Sequence, residues 1–214
     1  MKKILVIAAL FASVMAASAQ QIGLKGGLTL STLGGVDNPK ENKDVLLFEA
    51  GVVYKADLGG GFAIQPALGY QVKGAKYVQN NTQHTVESKT DYVELSVGAQ
   101  WGPDLLAFRP YVFVEPFIGY AVNGSEKLTN RAGMSVDNIN AVLPDAKNKL
   151  EFGAGAGIGL EITRHIQLSC QYFNNFGKLY KEDRLNKEDL KGIKSSYINL
   201  KSYQGVKITL AVLF

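Results

Sequence analysis

The sequence predicts an all-β protein, an eight-stranded antiparallel up-and-down transmembrane β-barrel. Three observations lead to this fold class: segments in which apolar residues alternate with polar or small ones, connections that are alternately long and short, and an apolar terminal segment that stops on Phe214. A period of two gives a strand with one apolar face. Such a strand at the end of a chain is an aggregation hazard in water, unless it pairs with the first strand and its apolar face meets lipid.

The first 19 residues have the pattern of a secretory signal peptide. Lys2 and Lys3 precede an apolar run from Ile4 to Ala17, and Ala17-Ser18-Ala19 matches a small-residue cleavage site. The apolar run is too short to span a membrane comfortably as a helix. We therefore expect cleavage near Ala19, followed by a single barrel domain over residues 20–214.

The composition gives no reason to expect a nucleic-acid partner. Without Lys2 and Lys3, the 23 basic residues fall to 21 against 19 acidic ones, so the excess of positive charge is small. The single cysteine, Cys170, cannot form a disulfide within the chain, and it lies on the apolar face of a candidate strand, where it acts as a small hydrophobe.

Eight candidate strands follow from the alternation. They cover residues 22–30, 46–57, 62–73, 92–101, 111–122, 151–162, 166–172 and 203–214. Pro66 and Pro116 lie inside the third and fifth of them. Because proline cannot donate a hydrogen bond to a sheet, we expect a bulge or a local break at both positions.

The connections between these strands alternate strictly in length. The short ones are Gly59–Gly61, Gly102–Arg109 and Thr163–His165, and the long polar ones cover residues 32–44, 77–90, 123–149 and 177–201. Short turns on one rim and long loops on the other are typical of an up-and-down membrane barrel.

Alternation alone does not say which face of the sheet points outwards, because a soluble lipocalin-like barrel would turn its apolar face inwards. Three features favour apolar side chains outside. The other face is rich in small residues, which suit a narrow lumen, and it carries four acids and four bases that could pair there: Lys25, Glu49, Lys55, Lys73, Glu94, Glu115, Glu161 and Lys207. The third feature is an aromatic girdle near the short turns, formed by Tyr54, Phe62, Trp101 and Phe214.

Several strands resemble those of the PorT-type outer-membrane β-barrel proteins of Bacteroidota, small eight-stranded barrels of the OmpA and OmpX kind. The similar stretches are Ile22-Gly-Leu-Lys-Gly-Gly-Leu28, Asp91-Tyr-Val-Glu-Leu95, Pro110-Tyr-Val-Phe113 and Leu210-Ala-Val-Leu-Phe214. The resemblance implies a place in the outer membrane of a diderm, Gram-negative cell envelope. It also implies insertion by the barrel-assembly machinery, which would read the terminal aromatic strand through Val206, Ile208, Leu210, Val212 and Phe214. It implies no catalytic or binding residue.

The search for chemistry in the sequence gives no catalytic, cofactor or metal site. The two histidines, His84 and His165, fall in a predicted long loop and in a turn on the opposite rim, so they cannot share a site. One cysteine and two distant histidines cannot form a zinc cluster.

The function we expect is therefore a structural or surface-interaction role through long extracellular loops, without catalysis. The last of these loops has seven basic residues against four acidic ones and could contact lipopolysaccharide. The expected partners are outer-membrane lipid and lipopolysaccharide, the assembly machinery, and a protein at the loops. Two alternatives stay open: a small passive pore, and a soluble periplasmic or secreted barrel that binds an apolar ligand.

Overall fold

The alternating segments form eight long antiparallel strands in the computed structural model, which describes residues 20–34, 42–79, 84–129, 135–136, 149–176 and 202–214. The predicted signal peptide and most of the predicted long-loop residues lie outside these ranges. The strands are β1 Gln20–Gly34, β2 Val45–Gly59, β3 Phe62–Gln79, β4 His84–Trp101, β5 Phe108–Thr129, β6 Leu150–Ile162, β7 Ile166–Asn175 and β8 Ser202–Leu213. Two short segments, Asn42–Lys43 and Ser135–Val136, extend the sheet beside β3 and β5.

The sheet closes on itself, which confirms the predicted eight-stranded up-and-down barrel. Each strand pairs antiparallel with the next along the chain, and β8 returns to pair with β1 from Gly23–Leu213 to Gly34–Ser202. Closure leaves the apolar terminal strand with a hydrogen-bonded neighbour on both sides, β1 and β7. No helix in the described ranges is long and apolar enough to cross a membrane.

The three short connections lie where the sequence predicts them, except that β5 already begins at Phe108, so Arg109 lies in a strand and not in the predicted turn. Gly59, Gly60 and Gly61 all have positive φ, a conformation that glycine adopts without strain, and they allow the tightest reversal, between β2 and β3. Thr163 and Arg164 have positive φ as well and turn the chain between β6 and β7. In the remaining short connection, between β4 and β5, Leu105 and Phe108 exchange two backbone hydrogen bonds.

Three predicted loops are partly strand, and this corrects the sequence interpretation; in the first of them, β1 continues to Gly34. β3 continues to Gln79 and β4 begins at His84, so His84 starts a strand instead of lying in a long loop. β5 likewise runs on to Thr129. The physical reason is that the backbone ladder continues beyond the apolar band, where both faces of the sheet become polar and the alternation that identifies a strand disappears.

The two prolines interrupt the ladder without shifting it. Beside Pro116, pairing between β4 and β5 stops at Ser96–Phe117 and resumes in the same register at Ala99–Val114. A similar gap between β2 and β3 lies beside Pro66. The expected break is therefore present at both prolines and the expected bulge is not; the register shifts occur at Asp57–Gly59 and at Asp91–Tyr92.

The outer face of the barrel is an apolar band with aromatic residues at both edges. Phe62 and Trp101 lie side by side near the short turns, with ring centroids 6.3 Å apart, and Phe214 is 73% exposed at the same edge. Tyr54 of the predicted girdle is half-buried. The opposite edge carries the exposed residues Phe48, Tyr70, Tyr120, Phe152, Tyr172 and Phe176.

The height of this band fits a bilayer. Phe62 and Tyr70 lie eight residues apart on β3, which corresponds to roughly 20 Å along the axis of a barrel whose strands rise ~3.3 Å per residue and tilt by ~40°. Apolar side chains outside and charged ones inside are the reverse of a soluble ligand-binding barrel.

The interior between β5 and β6 is packed by pairing large side chains with glycines. Directly opposite partners are Tyr111 and Gly159, Phe113 and Gly157, and Phe117 and Gly153. At the next inward position the glycine is on β5 and the larger residue on β6, so Gly119 faces Glu151. A Cβ atom at Gly159 would overlap the ring of Tyr111, and one at Gly157 would lie 2.9 Å from the ring of Phe113. The glycines on β6 therefore make the room that the aromatic side chains of β5 occupy.

The first prediction concerns the outer face. Leu210, half-exposed and midway between Val206 and Phe214 on the apolar face, should not tolerate charge, because an arginine near the bilayer midplane costs about 2–4 kcal/mol in a barrel. We expect Leu210→Arg to lower the free energy of unfolding in lipid vesicles by about that amount, measured by urea titration. The matched control is Leu105→Arg in a short turn, where we expect little change; equal losses for both variants would contradict a lipid-facing β8.

The second prediction concerns the packing between β5 and β6. Gly159→Ala should destabilise the barrel, because the new methyl group meets the ring of Tyr111, and overpacking of this kind typically costs about 1–3 kcal/mol. The smaller side chain of Tyr111→Leu should recover part of this loss in the double variant.

Gly26→Ala is the matched control for Gly159→Ala. A Cβ at Gly26 meets only the backbone oxygen of Glu49, at 3.9 Å. The measurement for all variants is the denaturant midpoint in detergent micelles. Equal effects of the two glycine substitutions, or no coupling between positions 159 and 111, would show that the pairing does not limit the interior.

Candidate functional site in the barrel interior

The charged side chains predicted for the lumen do point into the barrel. Lys55, Lys73, Glu94, Glu161 and Lys207 are all 4% exposed or less. Glu49 is also buried, whereas Lys25 and Glu115 are half-buried. Two further buried charges, Arg109 and Glu151, belong to the same interior although they were not among the predicted residues. The sequence assigns Arg109 to a turn, and Glu151 lies beside a predicted loop. Both could have been found because each lies an even number of residues from an inward-facing residue of its own strand, Tyr111 for Arg109 and Glu161 for Glu151.

Six of these residues form a chain of alternating charge, which we call the upper cluster: Lys25, Glu49, Lys207, Glu94, Lys73 and Glu151. Glu49 lies 3.7 Å from both Lys25 and Lys207. The ammonium group of Lys207 lies 3.6 Å from Glu94, which receives a 2.7 Å hydrogen bond from Lys73. Lys73 ends the series with a 2.5 Å contact to Glu151. Three positive and three negative charges cancel within the cluster.

Aromatic rings and amides complete the surroundings of the upper cluster. The ammonium group of Lys73 lies 4.1 Å from the ring centroid of Phe117 and 5.3 Å from that of Phe173, within the range of cation–π attraction. Turned so that its nitrogen faces Glu94, the amide of Gln71 donates at 2.9 Å and accepts from Thr29. These contacts satisfy charges that would otherwise be expensive to remove from water.

A second group of charges, the lower cluster, lies beside the short turns and consists of Lys55, Asp57, Arg109 and Glu161. Glu161 accepts from Lys55 at 2.9 Å and from Arg109 at 3.5 Å, and the amide of Gln167 donates to it at 2.8 Å. Lys55 also contacts Asp57 at 3.0 Å. Two bases and two acids again cancel, so both clusters are electrically neutral.

The lower cluster is tied to the turns themselves. Arg109 donates from Nη2 to the backbone oxygen of Gly61 at 2.9 Å, and from Nη1 to Gln100 at 3.2 Å. One guanidinium group thus bridges the β2–β3 turn, the start of β5 and the end of β4. Arg109 therefore joins the hairpins of the short-turn rim to one another.

The chemistry of this interior is that of paired charge. No group of three His, Cys, Asp or Glu residues in the described ranges is arranged to hold a metal ion. His165 is exposed in the β6–β7 turn, where a ring nitrogen lies 2.6 Å from the backbone oxygen of Thr163. Cys170 is exposed on the lipid-facing side of β7. Neither side chain reaches the clusters, and the side chain of His84 lies outside the described residues.

The third prediction tests the upper cluster. Glu94→Gln should destabilise the barrel strongly, because it leaves Lys73 and Lys207 with less negative charge than they neutralise, and breaking a buried ion pair typically costs on the order of 3–5 kcal/mol. The measurement is the unfolding free energy in vesicles. Asp104→Asn is the matched control, since the Asp104 side chain is 59% exposed and lies 3.9 Å from Arg109, and exposed pairs contribute little. Equal, small effects would contradict a role for charge pairing in stability.

Comparisons with known proteins give similar structures and one matching family. Among solved structures, the chain is similar to Neisserial surface protein A (12% identity, TM-score 0.44), to Ail, the attachment invasion locus protein of Yersinia pestis (10%, 0.43), and to a major outer membrane protein of Thermus thermophilus (12%, 0.45). Each comparison covers 92% of this chain and 100% of the other. No curated protein sequence matches the chain. The model of the outer membrane protein β-barrel domain matches residues 13–181. The chain therefore belongs to the outer membrane protein β-barrel domain family and is an outer-membrane protein.

Proposed function

We propose that this protein is a closed outer-membrane scaffold that acts through the polypeptide on the rim opposite its short turns. Its role is structural or one of surface interaction, and it neither catalyses a reaction nor conducts ions. The observation that carries the proposal is the pair of neutral charge clusters, which occupy the interior at two levels. An interior filled in this way holds the strands in place and leaves the rim as the surface available to partners.

The upper level leaves little space for a permeating ion. Lys73 contacts Glu94 from β4 and Glu151 from β6, so its side chain crosses the lumen from β3. The rings of Tyr92, Phe117 and Phe173 surround its ammonium group. An ion that passed this level would have to separate buried ion pairs, and leaving buried charges without their partners is costly.

The rival function is a small passive pore, and the composition of the lumen is what favours it. Charged and polar side chains line the interior of water-filled barrels too. What separates the two functions is whether these side chains are paired with one another or with permeating water and ions. Eight strands enclose a space just wide enough for side chains to fill, which supports the scaffold.

From the sequence features given above, we infer a narrower family for this chain and the route by which it reaches the outer membrane. The resemblance to PorT-type barrels of Bacteroidota and the signal-peptide pattern of residues 1–19 support export across the inner membrane of a diderm cell. Insertion would then depend on the barrel-assembly machinery, with Val206, Ile208, Leu210, Val212 and Phe214 as the recognised face of β8. Outer-membrane lipid, lipopolysaccharide and a protein bound at the long loops are the partners that this function requires.

The fourth prediction decides between scaffold and pore. In planar lipid bilayers, the unmodified protein should show little steady conductance, because both clusters obstruct the lumen. Arg109→Ala should raise the frequency of brief openings, since it removes the side chain that joins Glu161, Gln100 and the Gly61 backbone. Phe48→Ala, a truncation on the outer face, is the control and should behave like the unmodified protein. Large, stable, ion-selective openings in the unmodified protein would overturn the scaffold proposal and establish the pore.

A further inference from the structure

A cavity of about 40 Å³ lies between the upper and lower clusters. Its wall includes members or neighbours of both clusters, among them Lys25, Glu49 and Lys207 from the upper one and Gln100 and Gln167 beside the lower one. Apolar side chains, including Val53 and Phe113, complete it. The cavity is therefore a chamber inside the lumen, with a layer of paired charge on each side.

Two polar atoms in the wall of this chamber have no hydrogen-bond partner within the described protein. They are Nε2 of Gln171, a residue that is only 4% exposed, and Oε1 of Glu115. One is a donor and the other an acceptor. No ion pair joins Glu115 to a residue of the described ranges, although it lines the same cavity as Lys207.

The glycine pattern of β6 explains why both atoms face the same space. Glu115 pairs across the sheet with Gly155, and the amide of Gln171 lies over Gly155, where a Cβ atom would overlap it. Because residue 155 has no side chain, Gln171 on β7 can reach towards the chamber from one side of β6 and Glu115 on β5 from the other. This arrangement brings a buried donor and a buried acceptor to one cavity without joining them.

We propose that the chamber is a binding site for water, held by the side-chain amide of Gln171 and the carboxylate of Glu115. Buried polar groups in proteins are nearly always hydrogen-bonded, and where no protein group is in reach the partner is a bound water molecule. A volume of about 40 Å³ exceeds the ~10–15 Å³ that a cavity needs to hold one water molecule. The site thus solvates the middle of a lumen whose two ends are closed by charge pairs.

The charges of the wall select water over an ion. A cation in the chamber would face Lys25 and Lys207, and an anion would face Glu49 and Glu115. Water can instead accept from Gln171 and donate to Glu115, and the hydroxyl groups of Ser169 and Thr209 line the same wall. A neutral molecule with both donors and acceptors is the ligand that this mixed lining fits.

The test replaces Gln171 with methionine, which keeps the length of the side chain and removes the amide. With bound water, Gln171→Met breaks a hydrogen-bonded chain and should lower the denaturant midpoint of the barrel in micelles. With a dry chamber, the same variant removes an unpaired buried donor and should raise the midpoint. Cys170→Met, at the adjacent residue on the lipid-facing side of β7, is the matched control and should leave the midpoint unchanged.

A second measurement does not depend on the stability of any variant. In the unmodified protein, nuclear magnetic resonance should show a cross-relaxation peak between the Gln171 side-chain amide protons and a long-lived bound water. The expected pair of results is this water peak together with a lower midpoint for Gln171→Met. Absence of the peak in a protein whose Gln171 amide is assigned, or a raised midpoint for the variant, would overturn the proposal.

Discussion

The narrow interior of an eight-stranded barrel is the constraint on which the rest of this structure depends. The strand number fixes the width, so every inward side chain has to fit against those that enter from the other strands. The chain meets the constraint in two ways. Along β5 and β6 it pairs large side chains with glycines, as at Tyr111 and Gly159. Elsewhere it fills the space with lysines and glutamates that contact one another across the lumen.

The lysines and glutamates that fill the lumen are stable there because each cluster is electrically neutral. Removing a charge from water costs several kcal/mol, and only close contact with opposite charge and further hydrogen bonds offsets that penalty. Lys73 illustrates the offset, because it contacts two carboxylates and the faces of aromatic rings at the same time. Glu161 does the same from the acidic side, with donors from Lys55, Arg109 and Gln167. Both residues would be costly in isolation, and each becomes part of the core through its neighbours.

The sequence predicted the fold and the inward face of the strands well, because both follow from a period of two. Every residue of the predicted lumen set lies on the inner face, since parity along a strand leaves only two choices. The strand ends at Gln79, His84 and Thr129 could not be read in the same way, because polar residues on both faces leave no alternation. Arg109 was hidden by its neighbour Pro110 and by the turn before it, which made the start of β5 look like a connection.

The pairing of ion partners was beyond the sequence for a different reason. Parity says which side chains share the lumen, but not at which height each one sits, because that depends on the stagger between strands. Lys73 reaches Glu151, 78 residues away, only because the sheet closes with the register observed. The aromatic residues on the outer face near the short turns could be recognised in the sequence as a set. Those at the opposite edge of the apolar band could not, because its tyrosines and phenylalanines are spread over several strands.

The matching of β5 to β6 has a consequence for how such a chain can change over evolutionary time. A position such as Tyr111 cannot vary independently of Gly159, because a side chain at residue 159 needs the space that the ring of Tyr111 occupies. Drift along this pair of strands should therefore proceed by correlated substitutions. The outer face is less constrained, because any apolar side chain is compatible with lipid. Its residues can therefore be replaced one at a time by other apolar residues. Two faces of one strand, separated by a single residue, thus evolve under different rules.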